Sequence, residues 1–358
     1  MKKKLVIAGS TLLALVAIVS ALAWYYMGKP LYEPGQVASG KDLRASLTPP
    51  AQSRDDTGWV VEPGITLRHH AHGTGRKVLV VHGGPGRPIQ RPWPGLEALL
   101  GEYAFLYYDQ RGCGLSTRPI DRFTSSNYYG NMQVLEKTLG LGAQIADIER
   151  IRRILGEEKL ILLGHSFGAF LASLYAAEFP DRVSALVLVA PASVLVMPGE
   201  DGGLFGEVGR LLPEEMRQEY AGYLKSYLDF SNIFSRTEAE LASVNASFGK
   251  YYRIAARAKG FSVPDEDRTN AQGGWMVQAM YFSMGKRHDY RSALKKTPAP
   301  VLVIHGKNDI QSERASRAYS GAFPNSTFRL IKRAGHFPFL DQPAEFAMAT
   351  GGFLKGVK

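Results

Sequence analysis

The chain has 358 residues, 45% hydrophobic and 21% charged, an ordinary globular composition with room for one large α/β domain carrying an insertion or for two modest domains. Its single cysteine, Cys113, excludes an intrachain disulfide and any multi-cysteine zinc site, and no long low-complexity tract or internal repeat is present. A net charge of +10 raises nucleic acid or anionic lipid as partners, but the basic residues are scattered and no Lys/Arg block interleaved with aromatics follows residue 4, so nucleic acid is set aside.

Residues 1–30 differ from the rest. Lys2, Lys3 and Lys4 precede an uncharged apolar run over residues 5–27, long enough to cross a bilayer core of about 30 Å as a helix. Trp24, Tyr25 and Tyr26 close the run, where aromatic rings favour the headgroup zone, and the lysines favour the cytoplasmic side. The pattern predicts an N-in membrane anchor with the remainder outside the cytoplasm. The competing reading is a cleaved signal peptide, because Ala21-Leu22-Ala23 has the small-x-small form; the run exceeds the usual apolar region of a signal peptide, which favours the anchor. Residues 31–56, rich in Pro, Gly and Ser, read as a linker or loosely packed lead-in.

Short β runs follow at residues 57–61 and 65–70, separated by Glu62-Pro63-Gly64. His69, His70 and His72 invite a metal, but neighbours on a strand point to opposite faces, so a solvated strand end is the better reading. Lys77-Val78-Leu79-Val80-Val81 is a strand buried on both faces, and it ends in His82-Gly83-Gly84-Pro85-Gly86. Glycines at the carboxyl end of a central strand allow close backbone approach to a ligand, which makes Gly84 a candidate oxyanion donor. Phe105-Leu106-Tyr107-Tyr108 is a further strand, closing on Asp109-Gln110-Arg111-Gly112-Cys113-Gly114-Leu115-Ser116.

Ile145, Ile148, Ile151, Ile154 and Leu155 recur at helical spacing among charged residues, predicting an amphipathic helix. Next, Ile161-Leu162-Leu163 delivers Gly164-His165-Ser166-Phe167-Gly168 and passes into an alanine-rich helix over residues 169–179. In this Gly-x-Ser-x-Gly elbow the turn is so tight that Gly164 and Gly168 must lack side chains, leaving the Ser166 hydroxyl exposed above the sheet edge. The first N–H of the following helix, that of Phe167, is the second candidate oxyanion donor. Residues 185–189 form another buried strand, and the repeated strand–helix order predicts a mostly parallel doubly wound sheet.

From residue 191 to 297 the rhythm breaks into helical runs such as 213–227 and 237–257, with many aromatics and no convincing buried strand; this predicts a helical cap over the carboxyl edge of the sheet. The core is thus residues 57–190 and 298–358. The β pattern resumes at Val301-Leu302-Val303-Ile304, followed by Asp309, and Phe328-Arg329-Leu330-Ile331 is followed by His336. Ser166, Asp309 and His336 therefore occur in the order nucleophile, acid, base, each just past a strand. His305 is the rival histidine, on the same strand end as Asp309, and reads as structural.

Together, His-Gly-Gly-Pro-Gly, then Asp-Gln-Arg-Gly-Cys-Gly-x-Ser, then the elbow resemble the prolyl iminopeptidase branch of the α/β-hydrolase superfamily, over roughly residues 60–355. The resemblance implies that Asp109 and Arg111, with His82 and Gly83, brace the loops around the site, and that Cys113 packs there without being a nucleophile. It also implies an aminopeptidase that holds a substrate amine with cap glutamates. Leu204-Phe205-Gly206-Glu207-Val208-Gly209 is similar to the glutamate-containing cap segment, nominating Glu207, while His165 and Phe167 depart from the family's usual Gly and Trp. A serine nucleophile implies acyl transfer with no metal or organic cofactor. The expected substrate is a short peptide or small molecule. The alternatives are a carboxylesterase or amidase for small apolar acyl groups and a noncatalytic binding protein on the same scaffold.

Overall fold

The computed structural model describes residues 28–53, 58–88, 91–199, 203–264 and 271–357. The apolar run expected to be an anchor or signal lies outside these residues, and among the described residues no helix is long and apolar enough to cross a membrane.

Eight strands form one sheet: β1 (Gly58–Glu62), β2 (Ile65–His72), β3 (Arg76–Val81), β4 (Tyr103–Tyr108), β5 (Leu160–His165), β6 (Val183–Val189), and, after a two-residue ribbon of β7 (Val196–Met197) and β8 (His288–Asp289), β9 (Val301–Gly306) and β10 (Ser326–Ile331). Their order is β1-β2-β4-β3-β5-β6-β9-β10. The β1–β2 and β2–β4 pairs are antiparallel and all others in this sheet are parallel. Continuous apolar runs such as Val78 to Val81 suit strands buried on both faces. Leu79 and Val81 enter one core with the helices Leu141–Ile154 and Phe167–Glu178. Val78 and Val80 enter the opposite core, with Phe346 and Leu354 of the helix Pro343–Lys355.

Between β6 and β9 lie the helices Gly203–Leu211, Glu214–Tyr227, Glu238–Ala258 and Trp275–Met284. The ribbon pairs the chain leaving the sheet (Val196) with the chain returning to it (Asp289), and so fastens the neck of this insertion. The segment expected as a loose lead-in is packed instead. Tyr32 and Val37 are fully buried, and Glu178 accepts hydrogen bonds from the Tyr32 hydroxyl (2.8 Å) and from the N–H groups of Gly35 (2.8 Å) and Ala38 (2.9 Å).

A buried ion cluster joins the sheet edge to the helix Leu141–Ile154. Arg111, wholly inaccessible, makes a bidentate pair with Asp147 (Nε to Oδ2 2.6 Å, Nη2 to Oδ1 2.5 Å) and a contact with Glu62 (3.1 Å). Arg150 reaches the same two carboxylates at 3.1 and 3.2 Å, and Arg44 also pairs with Glu62. Burying charge is tolerable only when partners and hydrogen bonds replace water, which this cluster provides.

Candidate active site

The elbow leaves β5 at His165 and enters the helix at Phe167. Ser166 sits between them at φ +53°, ψ −119°, a conformation that L residues avoid and that costs of order 1–3 kcal/mol. The turn leaves no room for side chains at its flanks. A Cβ at Gly168 would lie 2.5 Å from the His82 carbonyl oxygen, and one at Gly164 would lie 2.6 Å from the Ala169 Cα. The Ser166 carbonyl accepts the N–H groups of Ala169 (3.0 Å) and Phe170 (3.3 Å). The Phe167 N–H, at the first helical position, has no acceptor within its own helix.

The loop after β3 lies directly on the elbow, since a Cβ at Gly83 would come within 2.8 Å of the Ser166 Cβ. Gly84 is exposed at φ +120°. His82 beneath it is locked in one tautomer: its Nε2 accepts the Gln110 N–H (3.1 Å), so Nδ1 carries the proton and donates to the Gly83 carbonyl (2.9 Å). Gln110 Nε2 also donates to the His82 carbonyl (2.8 Å), clamping the loop after β3 to the loop after β4. Burial lowers the His82 pKa to about 4, so the ring is neutral in the folded protein.

That depressed value has a consequence for acid stability. A histidine titrating at about 4 folded and about 6.5 unfolded contributes stability that is complete above pH 6.5 and is lost as pH falls toward 4. Between pH 7.5 and 5 the wild-type protein should lose about 2 kcal/mol from this residue, and His82→Gln should lack that part of the decline. Urea midpoints of both proteins at the two pH values measure it; equal declines would remove His82 as a source of acid lability.

Asp309 follows β9 and His336 follows β10, and the two loops zip together through Lys307 N–H to the Ile331 carbonyl (2.9 Å) and Asn308 N–H to the Ala334 carbonyl (2.8 Å). The His336 Nδ1 lies 2.8 Å from Asp309 Oδ2, so the buried carboxylate accepts the Nδ1 proton and Nε2 remains as the basic nitrogen. The other carboxylate oxygen accepts the Gln311 N–H at 3.0 Å. His305 turns elsewhere, with Nδ1 2.9 Å from the Ser316 hydroxyl.

Two supports were not assigned from the sequence. His165 donates from Nε2 to the His336 carbonyl (2.8 Å) and packs among Trp93, Phe337 and Phe339, its pKa lowered well below the ordinary range by burial. Gln311 accepts from the Ser193 N–H (2.8 Å) and hydroxyl (3.0 Å), and its Nε2 lies 3.4 Å from His336 Nδ1. The only sequence signal for either is adjacency, one residue before Ser166 and two after Asp309.

The other nominated residues fall nearby or apart. Asp109 accepts the Leu115 N–H (2.8 Å), fixing the turn that holds Cys113, and burial raises its pKa. Cys113 is buried with its thiol directed at the Gln110 carbonyl (3.2 Å), and burial pushes its pKa well up. His82 Nε2 lies 3.6 Å from that sulfur, but its lone pair is occupied by the Gln110 N–H. His69 stacks on Trp59 on one side of β2, while His70 and His72 meet edge-on at 5.3 Å beside Tyr107 on the other, so the three rings do not converge on one point. Glu207 is half-exposed on the helix Gly203–Leu211, and Arg210 holds its carboxylate at 2.7 Å.

Comparison with known proteins matches residues 77–343 to the alpha/beta hydrolase fold family. The chain belongs to the α/β-hydrolase family. Among relatives of this α/β-hydrolase, a proline iminopeptidase of Saccharolobus solfataricus is 30% identical over 297 residues, covering 81% of this chain and 88% of that protein. One of Heyndrickxia coagulans is 25% identical over 300 residues, covering 80% and 93%. A solved proline iminopeptidase of Mycobacterium smegmatis superposes with a TM-score of 0.51 at 18% identity, covering 81% of this chain and 95% of that one. The enol-lactonase of Burkholderia xenovorans LB400 does so with a TM-score of 0.52 at 16% identity, covering 82% and 97%. These two structural likenesses speak to the fold alone.

Proposed function

We propose that this α/β-hydrolase is a serine aminopeptidase of the proline iminopeptidase type, releasing an N-terminal residue from short peptides through Ser166, His336 and Asp309. The observation that carries the reading is the 2.8 Å Asp309–His336 pair on the same sheet edge as a serine held at φ +53°. The names of the curated relatives supply the substrate class.

In the first half-reaction Ser166 Oγ attacks the carbonyl carbon next to the scissile bond while His336 Nε2 takes its proton. The carbonyl π pair moves to oxygen, where the N–H groups of Gly84 and Phe167 receive it, each donor worth about 3 kcal/mol. Asp309 stabilises the imidazolium so formed. Collapse breaks the C–N bond, and His336 returns the proton to the leaving amine. Water then attacks the acyl-serine ester with the same base, giving the free acid and restoring the Ser166 hydroxyl.

Glu207 is carried as the anchor for the substrate amine, which requires its carboxylate to exchange Arg210 for the substrate. A specific observation favours the esterase or amidase reading. Several cap carboxylates already have partners: Glu207 with Arg210, Glu219 with Lys250, Glu238 with Arg118, and Glu240 with the Thr237 N–H. With these four engaged, none of them offers a free carboxylate to a substrate amine, which suits an uncharged substrate.

One experiment separates the readings. Proline and alanine naphthylamides and p-nitrophenyl esters are assayed with wild type and Glu207→Gln, in membrane and soluble fractions of cells expressing the full chain. The aminopeptidase reading expects naphthylamide cleavage, with KM raised roughly tenfold in the variant and ester kinetics unaffected. Cleavage of esters alone would sink it in favour of the esterase. The apolar run over residues 5–27 and the lysines before it support an exported, membrane-held enzyme, so activity is expected in the membrane fraction. Activity confined to the soluble fraction contradicts the anchor.

A further inference from the structure

The longest cap helix, Glu238–Ala258, carries three buried polar residues at seven-residue intervals: Glu238, Asn245 and Tyr252. Seven residues is close to two helical turns, so they form a column on one face. The first two are fully engaged. Glu238 accepts the N–H groups of Gly274 (2.9 Å) and Trp275 (2.6 Å) and pairs with Arg118 (2.5 Å). Asn245 Nδ2 donates to the carbonyls of Gly273 (2.7 Å) and Gly274 (3.2 Å), and the Gly273 N–H donates to the Gly86 carbonyl (2.9 Å). The column is thereby tied to the glycine loop beside Ser166, and the helix is held in fixed register over the site.

Tyr252, the third member, stands edge-on to the His336 ring, with centroids 6.1 Å apart and planes at 68°. Phe248 and Phe261 flank it at 5.9 and 6.4 Å. Its hydroxyl is buried and has no hydrogen-bond partner among the described residues. A buried hydroxyl without a partner is a net cost to the folded state, and buried polar groups are nearly always satisfied. Gln110, Tyr223, Gln278 and Thr350 also carry such atoms, but of these five residues only Tyr252 packs its ring against His336.

We propose that Tyr252 is a substrate-positioning residue, whose hydroxyl donates a hydrogen bond to an uncharged acceptor of the bound substrate beside the scissile bond and so holds the carbonyl in line with Ser166. Burial and the nearby Asp309 carboxylate raise the phenol pKa well above its ordinary value, so the group keeps its proton for donation. The assignment rests on Ser166 and His336 being the reacting pair. It adds a neutral donor from the cap to the triad and oxyanion donors, which the sheet edge supplies.

Tyr252→Phe removes the hydroxyl and keeps the ring. On whichever of proline naphthylamide or p-nitrophenyl ester the wild type cleaves, the variant should show KM raised roughly three- to tenfold with a smaller change in kcat, the scale of one lost neutral hydrogen bond. Its Tm should equal or exceed that of wild type, because the free protein loses an unsatisfied polar atom. Unchanged KM with a higher Tm would overturn the proposal, leaving the hydroxyl as a packing cost only. A lower Tm would overturn it too, by assigning the hydroxyl a structural partner. Fluorophosphonate labelling of the wild type separates this from failure of the underlying reading: without a Ser166 adduct both fall, whereas labelling with unchanged Tyr252→Phe kinetics removes Tyr252 alone.

Discussion

Ser166→Ala is expected to abolish turnover, lowering kcat by about 10⁴- to 10⁶-fold, because the nucleophile and its base act as a unit and little survives the loss of either. The change removes one oxygen and leaves the elbow backbone as it is, so the fold should persist. Ser166→Gly should be equally inactive yet more stable, since the residue sits at φ +53°, where glycine is at ease and a side chain is strained by of order 1–3 kcal/mol. Inactivity with gained stability is the signature of a strained reacting group. An alanine variant that retains more than a few per cent of activity would place the chemistry on another residue.

The second large effect concerns the buried ions. Asp147→Ala is expected to destabilise the protein by about 3–5 kcal/mol, because Arg111 and Arg150 would be left buried with only Glu62 between them. The consequence extends to the site. Arg111 follows Gln110, whose backbone and side chain both hold His82, and His82 in turn holds the Gly83 carbonyl. Urea denaturation measures the first effect, and the fluorophosphonate labelling rate of the surviving folded protein measures the second. A loss under about 1 kcal/mol would mean that water or rearrangement compensates the arginines, contrary to their complete burial.

The core of the fold was legible in the sequence because its elements announce themselves locally. Val78 to Val81, Ile161 to Leu163 and Val301 to Ile304 are apolar runs too short for a helix, and each is followed by a glycine-bearing turn, which together read as buried strands. The placement of Asp309 and His336 past the ends of β9 and β10 was legible for the same reason, each standing five positions after the last residue of an apolar run. The cap was less so. Trp275–Met284 is apolar on nearly every side, so no stripe of period 3.6 marks it as a helix. The β7–β8 ribbon is only two residues long on each strand, below what alternation can signal.

Contacts between distant residues that no motif marks were not legible. Nothing local in Tyr32 or Val37 shows that they are buried, because the acceptor that fastens their segment, Glu178, lies about 140 residues away. Of the cluster only Arg111 is marked in the sequence, as a loop brace; Glu62, Asp147 and Arg150 read there as ordinary surface charges. His165 looked like a departure from a motif; its contact with the His336 carbonyl gives that departure a physical purpose. In the sequence Tyr252 is one of many cap aromatics, and only the fold shows its hydroxyl buried without a hydrogen-bond partner among the described residues.

The central claim is that an acyl group is carried on Ser166. Mass spectrometry of the full-length protein after reaction with a fluorophosphonate tests it most directly, with the adduct located by peptide mapping. One adduct per chain, on the peptide containing Gly164-His165-Ser166 and absent from Ser166→Ala, is the predicted result. Labelling at another serine, or none in a protein that cleaves its substrates, would contradict the account.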